Sequence, residues 1–414
     1  MDKNKFFKLF IVGVLILSFV LTGCSSPTSP ATPAATETAE KTAQEYIDQL
    51  PEEWKVGQPL IALNQWAESK HAAEGTNCWT CHGPDPENMK KPSAATCGTC
   101  HTQEFEDFSK STHATAVVHA MSKDKTVYNG VEVEYKWQAY DEGGPDHWGC
   151  ANCHSVGEIS EEDGSLGDCA TCHGNHAFSL EQARDPETCS ACHAGPGHPQ
   201  AESWTASRHG ITWNTLGKDY DLSGTTEEFW ARQEIDPMPA PTCQSCHMPE
   251  GTHYTSHGMA HTLGGDRAED YEEQVNFMVE NSCTNCHSEK YAREWLGKAD
   301  EMATYSKARI REAKKMLEEL RADGLIRDTM EVTNAHPIAG QLSAADSLWF
   351  RANMATNRAF KGAYHMSTQW AGRQGWTDQS FDLMEFRSEL ERLRADAERD
   401  QRIKELEEML NITE

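Results

Sequence analysis

Basic side chains are scarce in this 414-residue sequence, since 37 Lys and Arg face 65 Asp and Glu for a net charge of −28. A nucleic-acid-binding protein needs a cationic surface to neutralise phosphates, so the deficit argues against that class of function. Apolar residues are also few, at 38% of the chain. The 12 Trp, 13 Phe and 10 Tyr can still supply a core, which excludes disorder throughout.

The N-terminus has the features of a targeting segment. Lysines precede an apolar run at residues 10–21, which is shorter than the roughly 20 residues that span a bilayer comfortably. The run ends at Leu21-Thr22-Gly23-Cys24, which resembles a bacterial lipobox. We expect a signal peptide at residues 1–23, cleavage before Cys24 and lipidation of the Cys24 thiol; an uncleaved signal anchor is the alternative.

The segment after Cys24 is rich in Pro, Ser, Thr and Ala, which is typical of a flexible tether. We assign the tether to residues 24–50. The mature protein is therefore predicted to be an extracytoplasmic, membrane-anchored lipoprotein at the cell surface or facing the periplasm.

The other 14 cysteines all belong to one pattern, Cys-x-x-Cys-His, which occurs seven times. In chain order, motifs 1 to 7 are Cys78-Trp-Thr-Cys81-His82, Cys97-Gly-Thr-Cys100-His101, Cys150-Ala-Asn-Cys153-His154, Cys169-Ala-Thr-Cys172-His173, Cys189-Ser-Ala-Cys192-His193, Cys243-Gln-Ser-Cys246-His247 and Cys283-Thr-Asn-Cys286-His287. Two thiols at this spacing reach the two vinyl groups of one porphyrin, and the following His is the proximal iron ligand. Zinc sites and redox dithiols do not require that His. The sequence therefore predicts seven covalently bound haem c groups.

So many porphyrins replace much of an ordinary side-chain core. Between the motifs the sequence favours short helices and Gly/Pro loops, with one hairpin arm at 126–137, where apolar and charged residues alternate. We predict a mainly α multihaem cytochrome c fold with little strand. The haem domain would occupy residues 51–290, and a C-terminal helical domain residues 291–414.

The C-terminal region predicts three long amphipathic helices. Their apolar residues recur at +3, +7 and +10, at Ile310, Ala313, Leu317 and Leu320 and again at Leu383, Phe386, Leu390 and Leu393. Ser343 is expected to cap the middle helix with Asp346 at its third position. Breaks are expected near Gly324 and Pro337 and at 372–375. The helices either cover haems only or also make subunit contacts.

The remaining histidines are candidates for the sixth iron position. An aromatic-x-x-Ser-x-His repeat ends at His71, His113 and His209, and on one helix it would place the His roughly 140° around from the aromatic. The candidate distal ligands are His71, His113, His176, His209, His261 and His365. We expect His119, His147, His253, His257 and His336 to be exposed to solvent or to support other residues, although any of them could replace one of the six.

Residues 169–210 carry a more specific resemblance. They contain His-Ala-Phe after motif 4, Ala-Arg-Asp-Pro-Glu before motif 5, and Gly-Pro-Gly-His-Pro-Gln after motif 5; Phe360-Lys-Gly-Ala-Tyr-His365 follows later. These segments resemble the hydroxylamine oxidoreductase family of octahaem cytochromes. The resemblance extends in weaker form over about 70–376.

The resemblance implies one haem with an open distal face among bis-His haems. By motif order the open haem belongs to motif 3, and the His of the family's Asp-His-Pro becomes His198, a catalytic candidate. Gly197 replaces the Asp, which removes a candidate proton acceptor, and the family's first haem has no counterpart here. Oxidative members cross-link a Tyr from a neighbouring subunit to the catalytic haem. The best alignment places Trp370 there, with the catalytic candidate Tyr364 close by.

Three functions remain open. The first is reduction of nitrite or hydroxylamine at the open haem, which the weak match at the cross-linking Tyr favours. The second is oxidation of hydroxylamine or hydrazine through a cross-linked haem, and the third is electron transfer without catalysis. The expected partners are a small nitrogen compound as substrate and a quinol-linked or other cytochrome as redox partner. The expected oligomer is the family's homotrimer.

Overall fold

A computed structural model describes residues 43–85, 87–117, 126–128, 131–133, 151–195, 197–255, 271–326 and 343–410. In these ranges the chain is mainly helical, as the sequence predicts. Cys24, Cys150, His119, His147, His257, His261, His336 and Pro337 lie outside them, and so do the signal peptide and most of the tether. Within them no helix combines the length and apolarity that crossing a bilayer requires.

The region of the seven motifs consists of short helices joined by loops. They are α1 (Gly57–Ala67), α2 (Lys70–Ala73), α3 (Cys78–His82), α4 (Ala94–Gly98), α5 (Thr102–Lys110), α6 (Ala151–His154), α7 (Ala170–His173), α8 (Leu180–Arg184), α9 (Pro186–Ser190), α10 (Gln200–Thr205), α11 (Arg208–Thr212), α12 (Thr226–Ile235), α13 (Cys243–His247) and α14 (Tyr271–Asn281). Strands β1 (Thr126–Tyr128) and β2 (Val131–Val133) pair antiparallel, with Val127 opposite Glu132. This two-stranded hairpin lies where the sequence predicts strand.

Three long helices follow: α15 (Glu289–Ala322), α16 (Ala344–Tyr364) and α17 (Asp378–Met409). Both α15 and α17 pack against α16. Their shared core contains Leu317, Leu320, Trp349, Phe386 and Leu390, all of them buried. The apolar spacing in the sequence therefore marks the packed faces correctly.

The ends of these helices test the predicted breaks and caps. Ser343 accepts a hydrogen bond from the Asp346 amide and forms the predicted capping box. Gly324, at φ +69°, ends α15 as expected. The break predicted at 372–375 is wrong, because Gln369–Thr377 is π-helical and leads directly into α17. The chain turns earlier, where Met366 adopts φ +56°.

Candidate functional site

One large cavity runs through the motif region and defines the site. Its volume is about 3600 Å³, several times the roughly 300–1,000 Å³ of a pocket for one small ligand. All seven motif histidines line it, together with every motif cysteine in the described ranges. Those cysteines are free of disulfides. The cavity therefore offers paired thiols and imidazoles around a volume that suits several porphyrins.

Six motif histidines face a second histidine across this cavity. The pairs and their ring-centre separations are His82–His176 at 6.0 Å, His101–His71 at 6.0 Å, His173–His253 at 6.1 Å, His193–His113 at 5.8 Å, His247–His365 at 6.2 Å and His287–His209 at 6.0 Å. A histidine nitrogen lies about 2 Å from a metal that it ligates, so an iron between two imidazoles separates their ring centres by about 6 Å. The six pairs therefore have the spacing of axial ligands on both sides of a haem.

Hydrogen bonds fix the ring orientation of several histidines that line the cavity. Nδ1 lies near a backbone carbonyl in His82, His154, His253 and His365, at 2.8, 2.9, 3.0 and 2.7 Å. A carbonyl only accepts, so each Nδ1 donates its proton and Nε2 is left to bind iron. For His154 of motif 3 the acceptor is the Ala116 carbonyl. The residues present thus fit haem c.

The aromatic-x-x-Ser-x-His repeat spans the end of one helix and the turn that follows it. The Ser hydroxyl donates to the carbonyl of the preceding aromatic, at 2.6 Å for Ser69 to Trp66, 2.7 Å for Ser111 to Phe108 and 2.6 Å for Ser207 to Trp204. Ser69 and Ser207 also cap the next helix. The single helix assumed from the sequence is therefore wrong. The Ser ends one helix and starts the turn that presents the His.

One histidine that faces a motif histidine, His253, is not among the six candidate distal ligands. His253 lies opposite His173 of motif 4 and is partly buried, which is the alternative that the sequence left open for it. His261, the candidate named instead, lies outside the described residues. The signal missed was position: His253 sits in the loop just after motif 6, as His176 sits in the loop just after motif 4.

The conspicuous segment before motif 5 has a structural explanation. Asp185 accepts from the Glu187 amide and Pro186 occupies the first position of α9, so this pair starts the helix that carries Cys189. Arg184 donates to the carbonyls of Leu222 and Gly224 at 2.8 and 2.9 Å. This segment therefore starts helix α9 and, through Arg184, holds the loop at 222–224 in place.

Thiols of different motifs lie close together and show which haems would be neighbours. Cys97 lies beside Cys169, Cys189 beside Cys243, and Cys192 beside Cys153. Burial, with a smaller contribution from a neighbouring thiol, raises the pKa of Cys81 beside Cys97, of Cys172 beside Cys189 and of Cys246 beside Cys283. The motifs thus form a path 1–2–4–5–6–7, and motif 3 joins it at motif 5.

His198 lies in the loop between motif 5 and α10. It lines the cavity, and its charge adds to the effect of burial in lowering the pKa of His193. Lys361 of α16 donates to the Gly197 carbonyl at 2.8 Å, and Glu202 accepts from the Gly195 amide at 2.7 Å. Two side chains therefore hold the loop that carries His198 against the cavity.

Tyr364 lies beside the cavity but is bonded within the chain. Its hydroxyl donates to Asp300 Oδ1 at 2.6 Å, and the Tyr271 hydroxyl donates to the same oxygen at 2.5 Å. Burial and then the Asp300 interaction raise the pKa of Tyr364 well above its ordinary value. Trp370 belongs to the π-helical turn that follows. The catalytic roles of His198 and Tyr364 stay predictions.

Burial sets the protonation of the site. It lowers the pKa of His173 to about 4 and that of His193 to about 3, and the facing imidazoles His253 and His113 add to the effect. The neutral imidazole that results is the form that binds iron. Burial, and then Lys307, lower the pKa of Lys361 to about 8.

Fold and site together define a multihaem c-type cytochrome that binds haem through Cys-x-x-Cys-His motifs. Residues 87–335 match the family described as seven times multi-haem cytochrome CxxCH, and the chain belongs to that family. More narrowly, it is similar to hydroxylamine oxidoreductase-like proteins. It is 26% identical over 377 residues to a probable nitrite reductase-hydroxylamine oxidoreductase fusion protein of Kuenenia stuttgartiensis.

The shared region covers 80% of this chain and 42% of that relative, so the chain spans about two fifths of the relative's length. Two solved structures share the fold. One is a Kuenenia stuttgartiensis reducing HAO-like protein complex, with a TM-score of 0.67, 20% identity and coverage of 91% of this chain and 90% of that one. The other is a hypothetical multiheme protein, with a TM-score of 0.64, 18% identity and coverage of 89% and 100%.

Proposed function

We propose that the protein is a lipid-anchored extracytoplasmic reductase that carries seven haems c and reduces nitrite or hydroxylamine at the haem of motif 3. The observation that carries the proposal is the junction of motifs 3 and 5. Cys153 lies beside Cys192 there, and the His198 loop follows motif 5 directly. An electron path therefore reaches motif 3 from motif 5, the motif that a protonatable side chain follows.

The six histidine pairs support a distinction between haems that transfer electrons and one haem that binds substrate. A haem with two imidazole ligands exchanges electrons without binding substrate, whereas a haem with an open distal face binds a small nitrogen oxide and passes electrons to it. Motif 3 takes the open role by the family's motif order. Cleaving an N–O bond consumes protons as well as electrons, and His198 is the residue that we assign to deliver them.

The surroundings of Tyr364 favour reduction over oxidation. The oxidative alternative needs a Tyr cross-linked to the catalytic haem. Here the Tyr364 phenol donates to Asp300 of its own chain, and a cross-link would have to break that bond. The relatives, a probable nitrite reductase-hydroxylamine oxidoreductase fusion protein and a reducing HAO-like protein complex, support the same direction.

The redox partner that we propose is a quinol-linked or other cytochrome, and the proposed oligomer is a homotrimer.

The test of the proposed function combines spectroscopy with measurements of turnover. The purified holoprotein is assayed anaerobically with a reduced dye and with nitrite or hydroxylamine, and the ferric protein is examined by electron paramagnetic resonance. We expect substrate-dependent dye oxidation and one high-spin haem. A protein with low-spin haems only and no turnover would be an electron carrier, which would overturn the proposal.

A further inference from the structure

Lys361 occupies the place where the His198 loop meets the electron path. Its ammonium donates to the Gly197 carbonyl at 2.8 Å, one residue before His198. Its own backbone carbonyl accepts the Nδ1 proton of His365 at 2.7 Å. One residue thus fixes both the loop of the catalytic candidate and the imidazole that faces His247 of motif 6.

The charge of Lys361 also reaches two haem sites. Lys361 lies one helical turn before His365, which faces His247 of motif 6, and it faces the same cavity as His193 of motif 5. Lys361 is partly buried and lines the cavity, so water screens this charge less than it screens a surface lysine. A ferric haem carries one more positive charge than a ferrous haem. A fixed cation nearby therefore favours the ferrous state.

We propose that Lys361 is a positioning residue with two roles: its ammonium holds the His198 loop in place, and its charge draws electrons to the haems of motifs 5 and 6. The first role rests on the proposed function, whereas the second concerns only the haem potentials. Sequence analysis missed Lys361, although it lies within the Phe-Lys-Gly-Ala-Tyr-His segment. The sequence alone assigns no function to a lysine at this position. The structure does, because α10, which follows the His198 loop, packs against α16.

Three substitutions separate the two roles. Lys361→Arg keeps the charge and the donor, Lys361→Gln keeps a donor without charge, and Lys361→Met removes both. Arg358→Met is the matched control, because Arg358 lies on the same helix and donates to the Gln374 carbonyl at 2.7 Å. Each holoprotein is titrated spectroelectrochemically at pH 7 and assayed for reduction of nitrite and hydroxylamine.

We expect lower midpoint potentials for the haems of motifs 5 and 6 in the Gln and Met variants, and near-native potentials in the Arg variant. Since misplacing a catalytic group by about 1 Å can cost roughly 10²-fold, kcat should fall at least tenfold in Lys361→Met, with KM less affected. The Gln variant should recover part of kcat. Arg358→Met should change neither quantity.

Two results would overturn the inference: native potentials in both uncharged variants, or equal shifts in Arg358→Met. Failure of the proposed function gives a different result, since the wild-type protein would then lack turnover while the potentials still shifted. A Met variant that does not fold leaves the Gln variant to decide, because its side chain can keep the bond to Gly197.

Discussion

At the scale of single residues, two backbone conformations explain how one short turn serves two haem sites. His176 and Phe178 have φ of +64° and +46°, in the left-handed region that non-glycine residues rarely adopt. His176 faces His82, and the Phe178 ring contacts the His71 ring with 4.9 Å between centres. Such conformations cost about 1–3 kcal/mol each and persist where the surroundings fix them. Here the turn presents two side chains to two different motifs.

The histidine pairs make His253 a decisive residue. Replacing it (His253→Ala) removes the imidazole that faces His173, so the haem of motif 4 should change from low spin to high spin. Electron paramagnetic resonance of the ferric protein should show one additional high-spin haem. His261→Ala is the comparison and should add none. A new high-spin signal in His261→Ala instead would return the distal role to His261.

His198 should affect chemistry without affecting ligation. Loss of a general acid typically costs 10²- to 10⁴-fold, so His198→Ala should lower reductive turnover by roughly 10²-fold or more. The number of low-spin haems should stay unchanged. Anaerobic dye-linked assays and spin-state spectra check the two statements. A new high-spin haem would make His198 an iron ligand, and unchanged turnover would remove it from the pocket.

At the scale of secondary structure elements, the sequence predicted motifs, caps and buried faces better than it predicted the geometry of the turns. The seven motifs, the Ser343 cap and the buried stripe from Ile310 to Leu320 follow from local spacing alone. The turns at Ser69, Ser111 and Ser207 do not follow from spacing, because they depend on which carbonyl a hydroxyl reaches. The π-helical turn does not follow either, because it depends on how closely α16 approaches it. His253 was not among the six candidates for the same reason, since its partner His173 lies 80 residues earlier in the chain.

The π-helical turn packs against α16 through glycine. A Cβ at Gly375 would lie 2.3 Å from Ala359 Cα and 2.4 Å from Ala359 N, so Gly375→Ala must push backbone apart. Overpacking of this kind costs about 1–3 kcal/mol. The Gly375→Ala holoprotein should therefore have a lower Tm, measured by circular dichroism with haem absorbance as a second probe.

Gly372 in the same turn supplies the control. A Cβ there would meet no atom within 4 Å, so Gly372→Ala should be neutral or stabilising by up to about 1 kcal/mol. Equal destabilisation by both substitutions would mean that the turn tolerates no side chain for reasons other than contact with α16.

At the scale of the whole molecule, the low apolar content and the large cavity have one explanation. A chain that is 38% apolar still forms a stable interior when porphyrin faces occupy a space of about 3600 Å³. In the described part of the chain, clusters of buried apolar side chains lie around that space and in the C-terminal helices. We therefore expect folding and haem attachment to be coupled, since the path from motif 1 to motif 7 runs through the space that the haems would fill.

The last prediction concerns the mature holoprotein. Seven motifs predict seven covalent haems, and the lipobox predicts a chain that begins at an acylated Cys24. Intact mass, with a pyridine haemochrome assay for haem, should give seven haems on a polypeptide that begins at Cys24, and a clickable fatty acid should label it. Two acyl chains suffice for stable anchoring, so the labelled protein should remain in the membrane fraction. Cys24→Ala is the control: it should lose the label yet keep every haem, because attachment depends only on the 14 motif cysteines. A count of six or eight haems would contradict the assignment of the motifs, and label retained in Cys24→Ala would place the acyl group elsewhere.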